Sequence, residues 1–322
     1  MKKIIREYYN QKKMETNSKI YIAGHTGLVG KALEEILKKR NYKNIITKTH
    51  LELDLRNQKE VEDFFKKEKP EYVFMAAAKV GGIYANLTYP AEFIYNNLQI
   101  QTNVIHSSWK NNVKKLMYFG SCCAYPTESN ELIKENSLLT GKLEPTNEAF
   151  AIAKIAGIKM CQAYNQQNFS NFISVIPANL FGPNDNFHPE NSHMVGMAIK
   201  KIHHAKENNL KSVTFEGTGS PIRDWLYIED LAEACLFLMQ NYNSPEIINI
   251  GTGIGSSKKD IAYLIKEIVG FKGKIIFDKT KPDGMMKRIL NIEKINSLGW
   301  NAKTSLEEGL KKTYQWFLKN KK

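Results

Sequence analysis

The chain has 322 residues, 42% hydrophobic and 25% charged, with a formal net charge of +13. That length accommodates one large two-lobed α/β unit or two domains, and the composition excludes a disordered or fibrous protein. No apolar run reaches the length of a bilayer span. The lysines are scattered rather than interleaved with aromatics, which argues against a nucleic-acid surface and suits a doubly negative, phosphorylated substrate.

Met1 to Asn17 is rich in Lys, Tyr and Asn. It lacks the apolar core and cleavage site of a secretory signal, so it reads as a frayed extension, with Met14 as an alternative start. Lys19 to Ala23 then reads as a strand. It runs into Gly24-His25-Thr26-Gly27-Leu28-Val29-Gly30 and a helix with Leu33, Ile36 and Leu37 on one face. Asn44 to Thr49 is a second expected strand, Val61 to Phe65 lies in a helix, and Tyr72 to Ala76 is a third strand. A long helix carrying Phe93, Ile94, Leu98 and Ile105 follows, then a fourth strand, Lys115 to Phe119. The helix of Lys154 and a strand from Phe172 to Pro177 complete the run. Strands alternating with helices predict a doubly wound parallel sheet over residues 18–178, with its ligand at the carboxyl ends of the strands. After about Asn179 the loops lengthen. Short strands at Val213 to Phe215, Ile247 to Ile250 and Lys274 to Phe277 suit a smaller α/β substrate lobe over residues 179–322, from which strands can return to the first domain.

The glycine loop is the first chemical signal. Gly24 permits a tight turn, Gly27 admits a pyrophosphate to the backbone, and Gly30 lets helix and strand pack closely. At the end of the second strand an acid would select NAD, but the residues are Thr47, Lys48, Thr49 and His50. Lys48, with His50, can pair with a 2′-phosphate and favours NADP; taken alone it is one more surface lysine. Asp54-Leu55 places a carboxylate near the adenine. Small residues after the third strand, Ala76 to Ala78, let a cofactor lie flat, or simply pack closely.

Ser121 follows the fourth strand and can hydrogen-bond a substrate carbonyl. Cys123 can reach a carbon beside it, where a thiolate would remove a proton. Taken alone, Cys123 is more often a buried small hydrophobe and His193 a surface or structural histidine. None of Cys122, Cys123, Cys161 and Cys235 has metal-ligand spacing, and the adjacent pair is a poor structural disulfide. A reduced, cytoplasmic protein without a metal is the simplest reading. The most telling stretch is Asn147 to Lys154. Nicotinamide-dependent reductases of this kind carry a tyrosine one helical turn before a lysine, whose ammonium lowers the phenol pKa. Here that position is Phe150, by natural divergence or by engineering.

Together these motifs resemble the GDP-L-fucose synthase family, bifunctional GDP-4-keto-6-deoxymannose 3,5-epimerase-4-reductases among the extended short-chain dehydrogenase/reductases. The resemblance spans Ser18 to about Phe317. It is carried by IAGHTGLVG (Ile22 to Gly30), AAAKVGGIYAN (Ala76 to Asn86), GSCCAYP (Gly120 to Pro126), LEPTNEAFAIAKIAGIK (Leu143 to Lys159), NLFGPNDNFHPENSH (Asn179 to His193) and KPDG (Lys281 to Gly284). It implies that Ser121, the tyrosine position Phe150 and Lys154 form the reduction triad, with NADPH delivering hydride to C4. It implies that Cys123 and His193 exchange protons at C3 and C5, beside the C4 ketone. Cofactor contacts are implied at Gly24, Thr26, Gly27, Leu28, Val29, Gly30, Lys48, Asp54, Leu55, Ala77, Ala78, Lys154, Pro177, Asn179, Leu180 and His193. Lys201, Glu216, Arg223 and Asp283 fall at nucleotide-sugar positions. A homodimer joined by a four-helix bundle, built from the helices around Phe93 to Trp109 and Ile152 to Asn165, is also implied.

Three departures stand out. Phe150 removes the proton donor, Glu216 replaces a common tryptophan, and Thr26 replaces a common arginine. Three functions follow: a GDP-4-keto-6-deoxyhexose epimerase/reductase impaired in reduction, a C4 reductase of a related GDP-4-keto-heptose in bacterial surface-polysaccharide synthesis, or an inactive protein that binds NADP and a nucleotide sugar.

Overall fold

The computed structural model describes residues 13–127, 131–188, 192–281 and 283–320. Six parallel strands form the main sheet: β1 (Ile20–Ala23), β2 (Ile45–Thr47), β3 (Tyr72–Met75), β4 (Lys115–Phe119), β5 (Phe172–Pro177) and β9 (Ile248–Ile250). Their spatial order is β2-β1-β3-β4-β5-β9. Strands β1, β3, β4 and β5 are buried along their whole length, as expected for a parallel sheet covered on both faces. Helices α1 (Leu28–Lys39), α2 (Gln58–Glu68), α3 (Ile83–Thr88), α4 (Pro90–Lys110) and α5 (Glu148–Asn168) connect them. On α1 the buried Leu33, Ile36 and Leu37 recur at helical spacing, so one stripe faces the sheet.

Strand β2 ends earlier than the sequence pattern implies. The Glu52 carboxylate takes the backbone N–H and the hydroxyl of Thr49, each at 2.8 Å, and the Lys48 ammonium at 3.3 Å. These local bonds turn the chain out of the sheet after Thr47.

The second half builds β6 (Asn179–Phe181), α6 (Met194–Glu207), β7 (Ser212–Glu216), β8 (Ile222–Tyr227), α7 (Ile228–Asn241), β10 (Gly255–Ser257), α8 (Lys258–Val269), β11 (Lys274–Asp278), β12 (Lys287–Arg288), α9 (Glu293–Ser297) and α10 (Leu306–Asn320). Strand β8 pairs with β6, β10 and β12, while β7 pairs with β11. Two cores result. The larger lies about the main sheet and recruits Leu231, Leu238, Ile248 and Ile295 from beyond residue 179. The smaller gathers Phe181, Ile199, Phe215, Trp225, Ile265 and Phe317. Each fully buried aliphatic or aromatic side chain contributes about 1.5–3 kcal/mol.

Strand β9 and helix α7 therefore belong to the first lobe in space. The Lys115 ammonium is buried against the end of α7, donating to the carbonyls of Leu238 (3.1 Å) and Met239 (2.8 Å) and to Asn243 Oδ1 (3.0 Å). Met14, within the stretch expected to fray, is buried, and its carbonyl accepts from Tyr42 and Gln240. The remainder of that stretch, residues 1–12, lies outside the described residues. Among the described residues no helix is long and apolar enough to cross a membrane.

Candidate active site

The strand order reverses between β1 and β3, which opens a crevice at their carboxyl ends. The glycine loop lies there. Gly24 has φ +84°, and a Cβ on it would stand 2.7 Å from the Ala77 backbone. A Cβ on Gly30 would meet the Gly24 carbonyl oxygen at 2.1 Å. These two glycines are needed for packing. Gly27 differs: its Cβ would meet only the Gly24 carbonyl oxygen at 3.6 Å, an ordinary contact, so there is room beside it. Gly27 also caps α1, with no side chain on the free amides and no acid in the first turn. Leu28 and Val29 are half-buried beneath the loop and Thr26 is exposed.

Lys48 is tied to Glu52, not free. His50 approaches Asp54 at 3.7 Å, and Asp54 is held by Arg56 at 2.7 Å. The Asp54 carboxyl is lowered to about 2, chiefly by that hydrogen bond. Arg56 escaped the sequence reading, although its place two residues after Asp54 is a signal for such a pair. Leu55, Ala77 and Ala78 are half-buried. Asn97 holds the segment after β3 by two 2.9 Å bonds with the Lys79 backbone. Pro177 ends β5, and Asn179 and Leu180 continue into β6, with Asn179 Nδ2 donating to the Asp224 carbonyl at 3.1 Å.

The helix that carries the expected proton-donor position is α5. Phe150 and Lys154 lie one turn apart, both buried. The Lys154 ammonium donates to the Phe119 carbonyl at 2.8 Å and lies 5.8 Å from the Phe150 ring centroid. Burial lowers its pKa to about 8. The Phe150 ring meets Phe93 edge-to-face at 6.2 Å.

Beyond β4 the chain turns through a short 3₁₀ segment, Cys122–Ala124, opened by Ser121. Ser121 Oγ accepts from the Cys123 backbone N–H at 3.2 Å. Asn147 Nδ2 donates to the Cys123 sulfur at 3.3 Å, and Arg288 Nη1 approaches it at 3.4 Å. The Cys122 thiol and the Arg288 guanidinium hold the Cys123 thiol well below its ordinary value, against the opposing effect of burial. His193 caps the start of α6. By surface area it is exposed. Desolvation by the protein around it lowers its pKa, and the charge of nearby Cys123 opposes the shift.

Arg223 and Arg288 are register partners on β8 and β12, and both are buried. Arg223 is lowered to about 10 by burial and by Arg288. Lys258, at the start of α8, donates to the Asp283 carbonyl at 3.3 Å. Asp283 accepts from Thr218 N at 2.8 Å and Thr218 Oγ1 at 2.6 Å. Arg223, Lys258, Asp283 and Thr218 thus form one cluster on the substrate lobe. Glu216 ends β7 and acts electrostatically on Lys258. Lys201 stands apart, its ammonium 5.9 Å from the Phe215 ring centroid. Asn147, Lys258 and Arg288 were not singled out from sequence. Asn147 stands inside a quoted motif, but the pairing of β12 with β8 has no local signal. Pro189, Glu190, Asn191 and Pro282, within two of the quoted motifs, lie outside the described residues. Among the described residues no His, Cys, Asp and Glu cluster could hold a metal ion.

A glycine loop at the switch point, a lysine one turn behind the proton-donor position and a thiol beside a cationic lobe define a nucleotide-cofactor-binding α/β enzyme. The chain belongs to the NAD dependent epimerase/dehydratase family, whose model matches residues 20–251. Over 307 residues it is 54% identical to the "Putative GDP-L-fucose synthase 2" of Arabidopsis thaliana, covering 95% of this chain and 94% of that protein. It is 43% identical to the GDP-L-fucose synthase of Escherichia coli (strain K12), covering 95% and 98%. Among solved structures it resembles a GDP-mannoheptose C4 reductase from Campylobacter jejuni with NADP bound, at a TM-score of 0.87 and 43% identity, covering 95% and 99%.

Proposed function

We propose that this chain is an NADPH-dependent enzyme of GDP-4-keto-6-deoxymannose-type sugars, equipped for C3/C5 epimerisation and impaired in C4 reduction. The observation that carries the reading is that Ser121 and Cys123 follow β4 while Lys154 bonds to the carbonyl of Phe119 at its end, with Phe150 where a phenol would stand. The residues fit NADPH. The room beside Gly27 and the uncapped start of α1 suit a pyrophosphate, and beyond β2 stand Lys48 and Arg56, paired with Glu52 and Asp54, which a 2′-phosphate can compete for. When bound, NADPH supplies the hydride for C4.

The protein's own residues handle protons. The Cys123 thiolate takes a proton from C3 or C5, the C–H electron pair moves toward the C4 carbonyl oxygen as an enolate, and His193 returns a proton to that carbon from the opposite face. Ser121 hydrogen-bonds that oxygen. Reduction at C4 leaves an alkoxide that needs a proton, and the Phe150 ring has none to give. Arg223 and Lys258 face the diphosphate, with Asp283 fixing the turn beneath it.

A second reading keeps the GDP contacts and changes the sugar to a heptose. Glu216 in place of an aromatic, and the similarity to a heptose C4 reductase, favour it. The outer faces of α4 and α5 carry the exposed Tyr95, Trp109 and Ile152, which support a homodimer through a four-helix bundle. Four free thiols support a reducing, cytoplasmic setting.

Mass spectrometry of GDP-4-keto-6-deoxymannose incubated with NADPH in heavy water separates the two half-reactions. We expect solvent deuterium at C3 and C5 without appreciable reduction. A substrate that gains neither deuterium nor hydride would overturn the reading for this sugar and make the heptose analogue the next substrate.

A further inference from the structure

We propose that Asn147 and Arg288 are positioning residues that hold Cys123 as a thiolate aimed at the sugar. The inference deepens the function proposed above and rests on it only for the identity of the carbon acid. A cysteine with no charged partner is a poor base at neutral pH, because most of it is the protonated thiol. Here two donors from separate parts of the chain converge on one sulfur. Asn147 precedes α5 and brings Nδ2 to 3.3 Å, while Arg288 on β12 brings Nη1 to 3.4 Å. Arg288 is itself steadied by Met285, whose sulfur lies 3.2 Å from its Nε.

The state of Asn147 is the independent observation. Its Oδ1 is buried and has no hydrogen-bond partner among the described residues. A neutral thiol would be served by the opposite amide orientation, with Oδ1 accepting the S–H. Nδ2 facing sulfur suits an acceptor that carries charge, and it leaves Oδ1 for a hydroxyl of the bound sugar. An unpaired buried acceptor costs about 1–3 kcal/mol, a reason for substrate to be drawn to it.

The charged and titratable groups about Cys123 come from every neighbouring element. Cys122 lies beside it on the same segment, Arg288 and Arg223 face it from β12 and β8, and His193 faces it from the start of α6. Glu144 acts on Arg223 and so stands one step away. Both guanidiniums favour the anion. Cys122 remains a thiol, held up by its hydrogen bond to Cys123 and by burial.

The test is the pH dependence of iodoacetamide alkylation of Cys123 in the full chain, read on the Cys123 peptide, with Cys123→Ser as the blank. An ordinary thiol has its midpoint near about pH 8.5. We expect the wild-type midpoint well below that ordinary value, and raised toward it in Arg288→Met. Arg288→Lys should recover part of the shift, and Asn147→Ala should raise the midpoint by less than Arg288→Met does. An ordinary wild-type midpoint, or one unmoved in both Asn147→Ala and Arg288→Lys, would overturn the proposal even if Arg288→Met does not fold. A low midpoint that these changes raise, in a protein that exchanges no hydrogen on any GDP-4-keto sugar, would uphold the thiolate site and sink the epimerase reading instead.

Discussion

Phe150 differs from tyrosine by one oxygen, yet its neighbours remain those of a proton donor. Lys154 is buried one turn away and bonded to the Phe119 carbonyl. Burying an ammonium without an anion is costly, and the lowered pKa of about 8 records that cost. The glycine loop offers a sharper contrast at the same scale. Gly27→Ala adds a methyl at ordinary contact distance, whereas Gly30→Ala drives one into the Gly24 carbonyl. Gly27→Ala should therefore keep the melting temperature and weaken NADPH at least about tenfold, since the methyl sits where the pyrophosphate approaches. Gly30→Ala should cost about 1–3 kcal/mol or more before any ligand is added. Thermal melts and NADPH titrations decide it, and equal effects of the two changes would refute the assignment of roles.

Among the elements, the start of α6 has a strained feature of its own. Asp185 lies in the loop before it and is buried. Its Oδ1 accepts from the Asn186 N–H at 2.8 Å, while Oδ2 has no partner among the described residues. Burial raises the carboxyl to about 7, against that single hydrogen bond. A folded pKa above the unfolded one gives stability that is complete below the unfolded value and is lost as pH rises toward the folded value. Wild-type stability should therefore fall between about pH 4 and pH 7 through this group. Asp185→Asn should remove that slope and melt a few degrees higher at pH 8. Parallel melting curves for the two proteins across this range would show that the carboxyl is not buried as a charge.

The elements also show what a sequence can and cannot disclose. The strands of the main sheet were legible because each is a short apolar run bounded by turns, and Phe150 with Lys154 because helical spacing is local. Strand β2 ended early through the Glu52 side chain, which no apolar pattern records. Strands β8, β10 and β12 are short and mixed in character, and β12 has only two residues. Their pairing joins residues far apart in the chain, such as Arg223 and Arg288, and the Arg288 to Cys123 contact it sets up spans 165 residues. Lys48 was legible as a cation, but its pairing with Glu52 was not.

At the scale of the molecule, two cores share one chain, and β9 and α7 stitch the second half to the first sheet. A cleft between lobes can then bring Ser121, Cys123 and Lys154 from one lobe to Arg223, Lys258 and Asp283 from the other. The exposed apolar side chains of α4 and α5 belong to this scale too. Tyr95→Glu combined with Ile152→Glu should convert a dimer to a monomer in light scattering, because each buried charge would lack a partner. A dimer that survives both changes would place the interface elsewhere.

The central claim is that this enzyme retains a reductase site from which the proton donor is missing. The most direct measurement is NADPH oxidation with GDP-4-keto-6-deoxymannose, by this protein and by Phe150→Tyr. The account predicts a gain of about 10²- to 10⁴-fold on restoring the phenol, the usual worth of a positioned acid. Equal rates in the two proteins, whether both fast or both silent, would contradict it.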